Sequence, residues 1–166
     1  MVNRKFLMAA LLLVGAVLAV ALMMVDWEAR AVKKRMRSLE QELQWAPEDN
    51  DLVVAARVKR VGEMVADPCR VDMPTYEVSR FFSQKDVAPY LMMALRRYSR
   101  LAVEFHDLVV EITAPGKARV IATAYVRALT LDGQRADEVL ELAFELEKTE
   151  KEWRMLAVEE VPVLEK

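Results

Sequence analysis

His106 is the only imidazole in a chain of 166 residues, so any histidine base or metal ligand must be this residue, with Glu104 and Asp107 as the acids able to orient it. Consecutive strand residues face opposite ways, so His106 and Asp107 share a face only where the strand is irregular; a surface histidine is the simpler reading. Cys69 is the sole thiol and has no activating neighbour beyond Arg70, which points to a buried sulfhydryl rather than a nucleophile. One Cys and one His assemble neither a disulfide framework nor a multi-histidine centre, and no metal or cofactor is expected. Gly15 lies in an apolar run, Gly62 in a helical pattern, and Gly116 and Gly133 in turns, which leaves no phosphate-cradling loop. Neither a Walker pattern nor G-x-G-x-x-G nor G-x-S-x-G occurs, which disfavours P-loop NTPases, Rossmann dinucleotide enzymes and α/β-hydrolases.

The balance of 24 Lys and Arg against 26 Asp and Glu provides no basic field to hold a nucleic acid, and none is expected as partner. The length suits one domain plus an appendage, which divides the chain into an N-terminal tail and transmembrane helix over 1–25 and a folded domain over 26–166. Phe6 to Val25 is a run of 20 uncharged residues, about 30 Å of helix and enough to span a bilayer. The lipid bilayer is thus the first expected partner. A cleaved signal peptide is the rival reading, with Asn3-Arg4-Lys5 as basic flank and Ala19-Val20-Ala21 as cleavage site; the apolar run exceeds the usual signal-peptide core and favours the anchor. Positive charges flank both ends. A short N-terminal tail that stays inside places the domain on the extracytoplasmic side of the inner (cytoplasmic) membrane, in a single-pass arrangement. Lys33-Lys34-Arg35-Met36-Arg37 is alternatively a patch for anionic lipid, although a solvated helix face explains it more simply.

Val25, Ala29, Val32, Met36, Leu39 and Leu43 recur at helical spacing, and after the Pro47 to Asp51 break Val54, Val58, Val61 and Val65 repeat it, predicting a helical hairpin. Asp67-Pro68 is expected to stop the second helix, Cys69 to Met73 to form a short strand, and Pro74 to end it. Ser83 and Asp86 form a capping box for a third helix reaching about Ser99, with Pro89 pointing to a separate first turn. From Leu101 the period becomes two and predicts four long antiparallel strands joined at Pro115-Gly116, Asp132-Gly133 and Glu150-Lys151. Apolar parity switches between Phe105 and Leu108, which predicts a β-bulge at His106-Asp107.

The resulting class is α+β, a curved antiparallel sheet packed on helices. The order of elements, the Val71-Asp72-Met73-Pro74 stretch and the segment from Glu141 to Arg154 resemble the NTF2-like superfamily, the SnoaL and ketosteroid-isomerase type of cone, over about residues 28 to 161. An N-terminal anchor on such a domain is broadly similar to VirB8-like secretion proteins. The resemblance implies a pocket inside the cone, for which Phe81, Phe82, Tyr90, Tyr98, Phe105, Tyr125 and Phe144 are the aromatics able to line it, Phe81, Tyr90, Phe105, Tyr125 and Phe144 being the candidate pocket residues; a filled core is the plainer alternative. It also implies a position for the isomerase base at Asp72, while the position of the protonated aspartate corresponds to Leu142, leaving the oxyanion donors unmatched. Asp72, Tyr76 and His106 are therefore the catalytic candidates if the cone is an enzyme. Without a recoverable catalytic set, the favoured function is a membrane-anchored interaction or scaffold domain that docks to envelope proteins or to itself through its sheet face. The alternative is a small-molecule-binding or isomerase- or hydrolase-like cone.

Overall fold

The computed structural model describes residues 27–162. Helix α1 occupies 27–42, followed by α2 (Asp51–Glu63), β1 (Val65–Met73), a 3-10 turn (Pro74–Tyr76), β2 (Val78–Phe82) and α3 (Gln84–Leu95). The remaining strands are β3 (Tyr98–Ala114), β4 (Lys117–Thr130), β5 (Arg135–Thr149) and β6 (Glu152–Glu160). All join one six-stranded sheet in the order β2-β1-β6-β5-β4-β3. Every pairing is antiparallel except β1 with β6. The expected α+β class and curved sheet are thus present. Among the described residues no helix is long and apolar enough to cross a membrane, and the run Phe6 to Val25 lies outside them.

The sheet packs on the helices because one face of each strand is apolar and small where α1 crosses it. On β4 the inward positions are Ala118, Val120, Ala122 and Ala124, all buried, and these short side chains leave room for Val32, Met36 and Leu39 of α1. Phe105 and Phe144 meet edge to face in the same core, their ring centroids 5.6 Å apart. Polar contacts then fix the angle of the hairpin. Arg35 Nε donates to the Trp153 carbonyl at 2.9 Å, and Gln44 Nε2 to the Val103 carbonyl at 2.8 Å. Trp45 exchanges two backbone hydrogen bonds with Leu101 on the edge of β3. Arg35 and Met36 therefore hold the domain together, and Lys33, Lys34 and Arg37 are the exposed members of the basic cluster.

Local details depart from the sequence pattern in four places. Helix α2 ends at Glu63 with Met64 as cap, so Val65 belongs to β1, and Asp67-Pro68 lies inside that strand rather than ending the helix. Strand β2 was not expected. Helix α3 stops at Leu95 and runs continuously through Pro89, where the ring removes one backbone donor without dividing the helix. Its start is as expected: the Ser83 backbone N–H and hydroxyl both donate to the Asp86 carboxylate, at 3.3 and 2.7 Å. These bonds also hold the Asp86 carboxyl below its ordinary pKa. The β-bulge is present too, with the register slipping between His106 and Val109 and Asp107 at φ 51.

Candidate functional site

Two surfaces could bind something, one on each side of the sheet. The first is an apolar groove of about 290 Å³ between α3 and the β1 end of the sheet, lined by Val61, Cys69, Val71, Phe82, Tyr90 and Leu91 among others. Alternation along β1 turns Cys69 and Val71 to the groove and leaves Arg70 and Asp72 on the other face, where Arg70 pairs with Glu159. Arg80 stacks over Phe82 and Tyr90, 4.2 and 4.0 Å from the ring centroids. Burial pushes the Cys69 thiol up to about 11, so it stays protonated at neutral pH and is a poor nucleophile. No polar or charged side chain is fully buried among the described residues, so no desolvated acid or base faces this groove. Among the same residues no group of three His, Cys, Asp or Glu converges as a metal site would require.

The second surface is the outer face of β3, β4 and β5. Pairing register arranges it in rows that run across the strands: Glu104, Tyr125 and Val139; His106, Thr123 and Glu141; Val109, Ile121 and Ala143. Val109 and Val139 are 62 and 60% exposed, and Ile121 and Tyr125 are exposed beside them. They form two apolar pairs, Val109 with Ile121 and Tyr125 with Val139, on either side of the His106–Thr123–Glu141 row, and neither pair has a packing partner within the domain. Around it Arg127 pairs with Glu104, the Thr123 hydroxyl donates to Glu141 at 2.7 Å, and the His106 ring meets Tyr125 edge to face at 4.7 Å. His106 Nε2 also lies 3.5 Å from the Glu104 carboxylate.

The catalytic candidates do not converge. Asp72 on β1 and His106 on β3 are separated by β6, β5 and β4, four strand spacings or roughly 19 Å. Asp72 is half-buried in register with Ser79 and Glu159. The Tyr76 hydroxyl bonds to Glu138, which ties the 3-10 turn to β5. Of the five pocket candidates, Tyr90 alone lines the apolar groove. Phe105 and Phe144 fill the core, while Phe81 and Tyr125 are exposed. Phe82, named beside Phe81 among the aromatics, also lines the groove, because β2 turns alternate residues to opposite faces and sends Phe81 outward. Leu142 is buried in the core. What sequence reasoning missed is the outer-face cluster of Val109, Ile121 and Val139, signalled by apolar residues at the wrong parity on otherwise amphipathic strands.

No protein-family model matches the chain, and no curated protein matches it at a significant level. Solved structures do. The Kfla4162 protein from Kribbella flavida is 16% identical with a TM-score of 0.67, over 82% of this chain and 91% of its own. A scytalone dehydratase-like protein from Novosphingobium aromaticivorans is 13% identical with a TM-score of 0.63, over 82% and 85% of the two chains. A designed NTF2 protein is 13% identical with a TM-score of 0.51, over 81% and 99%. At such identities the likeness is one of fold: this domain has the NTF2-like, SnoaL-type cone fold. Solved structures with this likeness carry names as different as a scytalone dehydratase and a calcium/calmodulin dependent protein kinase II association domain, so activity has to be argued from the site.

Proposed function

We propose that this protein is a single-pass membrane protein, non-enzymatic, in which the run Phe6 to Val25 holds an NTF2-like interaction domain at the extracytoplasmic face of the inner membrane. The domain docks through the outer face of its sheet to a second copy or to another envelope protein, in a layout similar to VirB8-like proteins. The observation that carries the reading is the pair of apolar patches, Val109 with Ile121 and Tyr125 with Val139, large side chains left exposed on one face. On the opposite side the core is packed, and among the described residues no fully buried polar or charged side chain faces the groove beside α3, which supports the same reading. Alkaline carbonate extraction of membranes followed by chemical cross-linking tests it. The expected result is a carbonate-resistant chain that cross-links into a discrete larger species. Release by carbonate together with a mature N-terminus at Leu22 removes the anchor, and a solubilised monomer with no cross-linked partner removes the docking role.

The groove beside α3 favours a second reading, a cone that takes a small apolar molecule against Phe82 and Tyr90. Titration with hydrophobic fragments, followed by calorimetry and thermal shift, tests it. Saturable binding lost in Tyr90→Ala supports this reading, and no binding by any fragment dismisses it.

A further inference from the structure

Three segments of the chain meet at one end of the domain. Helix α1 begins there at Trp27, and the β3–β4 and β5–β6 hairpins turn beside it. Lys148 ties the three together: its Nζ lies 3.4 Å from Glu28 Oε1, and its backbone N–H donates to the Gly116 carbonyl at 2.8 Å. The other end of β4 carries the row of Arg100, Leu129 and Arg135 and then the turn at Leu131, the length of a 14-residue strand away, up to about 46 Å. At the α1 end Trp27 is 73% exposed. Arg30, Lys117 and Lys151 are exposed too, and among the described residues none of them forms an ion pair. Of the acids there, Glu28 pairs with Lys148 and Glu152 with Arg35, Glu147 is half-buried in register with Lys117, and Glu150 is exposed. This end therefore presents an aromatic ring and an excess of unpaired cations.

We propose that this end of the domain is seated on anionic phospholipid headgroups, with Trp27 at the interface and Arg30, Lys117 and Lys151 as the cations that hold it there. This inference rests on the anchor proposed above and specifies which end of the domain meets the bilayer. Only Asp26 separates the apolar run ending at Val25 from Trp27, and one residue spans at most about 3.6 Å. An anchored chain thus has no linker with which to carry the domain away from the surface. The field of an anionic surface falls off over about 8 Å at physiological ionic strength, so only charges held beside the start of α1 feel it strongly. The two hairpin tips are held there by the Lys148 contacts. The amphipathic indole suits the boundary between acyl chains and headgroups, and lysine ammonium groups bind phosphate oxygens as point charges. Seated in this way, the domain turns its Leu131 end away from the bilayer.

Spin labelling of the full chain tests the seating, in vesicles of equal parts phosphatidylethanolamine and phosphatidylglycerol. A nitroxide is attached at Ala114→Cys, beside the β3–β4 tip, in one sample and at Leu131→Cys, at the far end, in another; both parent residues are exposed. Cys69 is buried and protonated at neutral pH, so the introduced thiol takes the label. Collision with a water-soluble nickel chelate reads access to water. The expected result is a collision rate several-fold lower at Ala114→Cys than at Leu131→Cys. Adding Lys117→Gln and Lys151→Gln raises it at Ala114→Cys by about threefold or more and leaves Leu131→Cys unchanged. Equal collision at the two sites in a chain that resists carbonate overturns the seating while the anchor stands. Protection of Ala114→Cys that persists in vesicles of phosphatidylcholine alone, or that the two lysine substitutions do not move, overturns anionic headgroups as what holds this end. Release of the chain by carbonate removes the anchor, and the seating with it.

Discussion

Val139 offers a direct measure of how much the outer face contributes to association. Its side chain is 60% exposed in the protomer, so sheet-to-sheet pairing would newly cover roughly six-tenths of it. Complete burial of a valine stabilises by about 1.5 to 3 kcal/mol, which makes this fraction worth about 1 to 2 kcal/mol in each copy. A two-fold interface contains the residue twice, giving about 2 to 4 kcal/mol per dimer, or about 30- to 700-fold in Kd. Val139→Thr removes most of that contribution while keeping the β-branch that suits a strand. Since the site is exposed in the protomer, the thermal transition of the dilute monomer should move little, within the range of about 0.5 kcal/mol typical of surface substitutions. Sedimentation equilibrium across a concentration series reads the dimer constant. A dimer whose Kd is the same for Val139→Thr and the parent would refute the assignment of this face.

Three further expectations concern the anchor, a turn and the thiol. Val14→Arg should reduce membrane insertion, because a charge at the middle of the bilayer costs about 2.5 to 3.5 kcal/mol, whereas Leu7→Arg can snorkel to the interface and should insert; fractionation of the two variants reads the difference. Glu150 and Lys151 both hold left-handed backbone in the β5–β6 hairpin, at φ 52 and 73, so Lys151→Gly should stabilise the domain by about 0.5 to 1 kcal/mol in urea unfolding. Burial raises Cys69 from 9.0 to about 11, so the folded state favours the protonated thiol; the stability this contributes is present below pH 9.0 and lost as pH rises through about 11. Cys69→Ala should flatten that alkaline limb of a pH series of melting curves.

Much of the fold is legible wherever burial is one-sided. The stripe of Val32, Met36 and Leu39 marks the inner face of α1, and all three are buried. Alternation on β4 and β5 gives their length, and the parity switch at His106-Asp107 gives the bulge, because a slip of one residue would carry an apolar set to the wrong face. The β1–β2 hairpin is less legible. Val65 continues the helical spacing of Val54, Val58 and Val61 although it is already in β1. Strand β2 is a short edge with Ser79 and Arg80 exposed and carries little alternation. Without its parity Phe81 and Phe82 cannot be told apart, and only Phe82 faces the groove. For the outer surface, the short turns show which strands are neighbours but not the register across them. The rows joining Val109 to Ile121, or Arg100 to Arg135 through Leu129, exist only once the register is known.

Site-specific photo-cross-linking in membranes tests the combined claim of an anchored domain docking by its outer face. A benzophenone amino acid replaces Tyr125 at the centre of that face in one sample and Leu52, 82% exposed on α2, in a control. After irradiation and carbonate washing, the account predicts a discrete larger adduct from position 125 and none from position 52. Equal adducts from both positions, no adduct from 125, or recovery of the chain in the carbonate supernatant would contradict it.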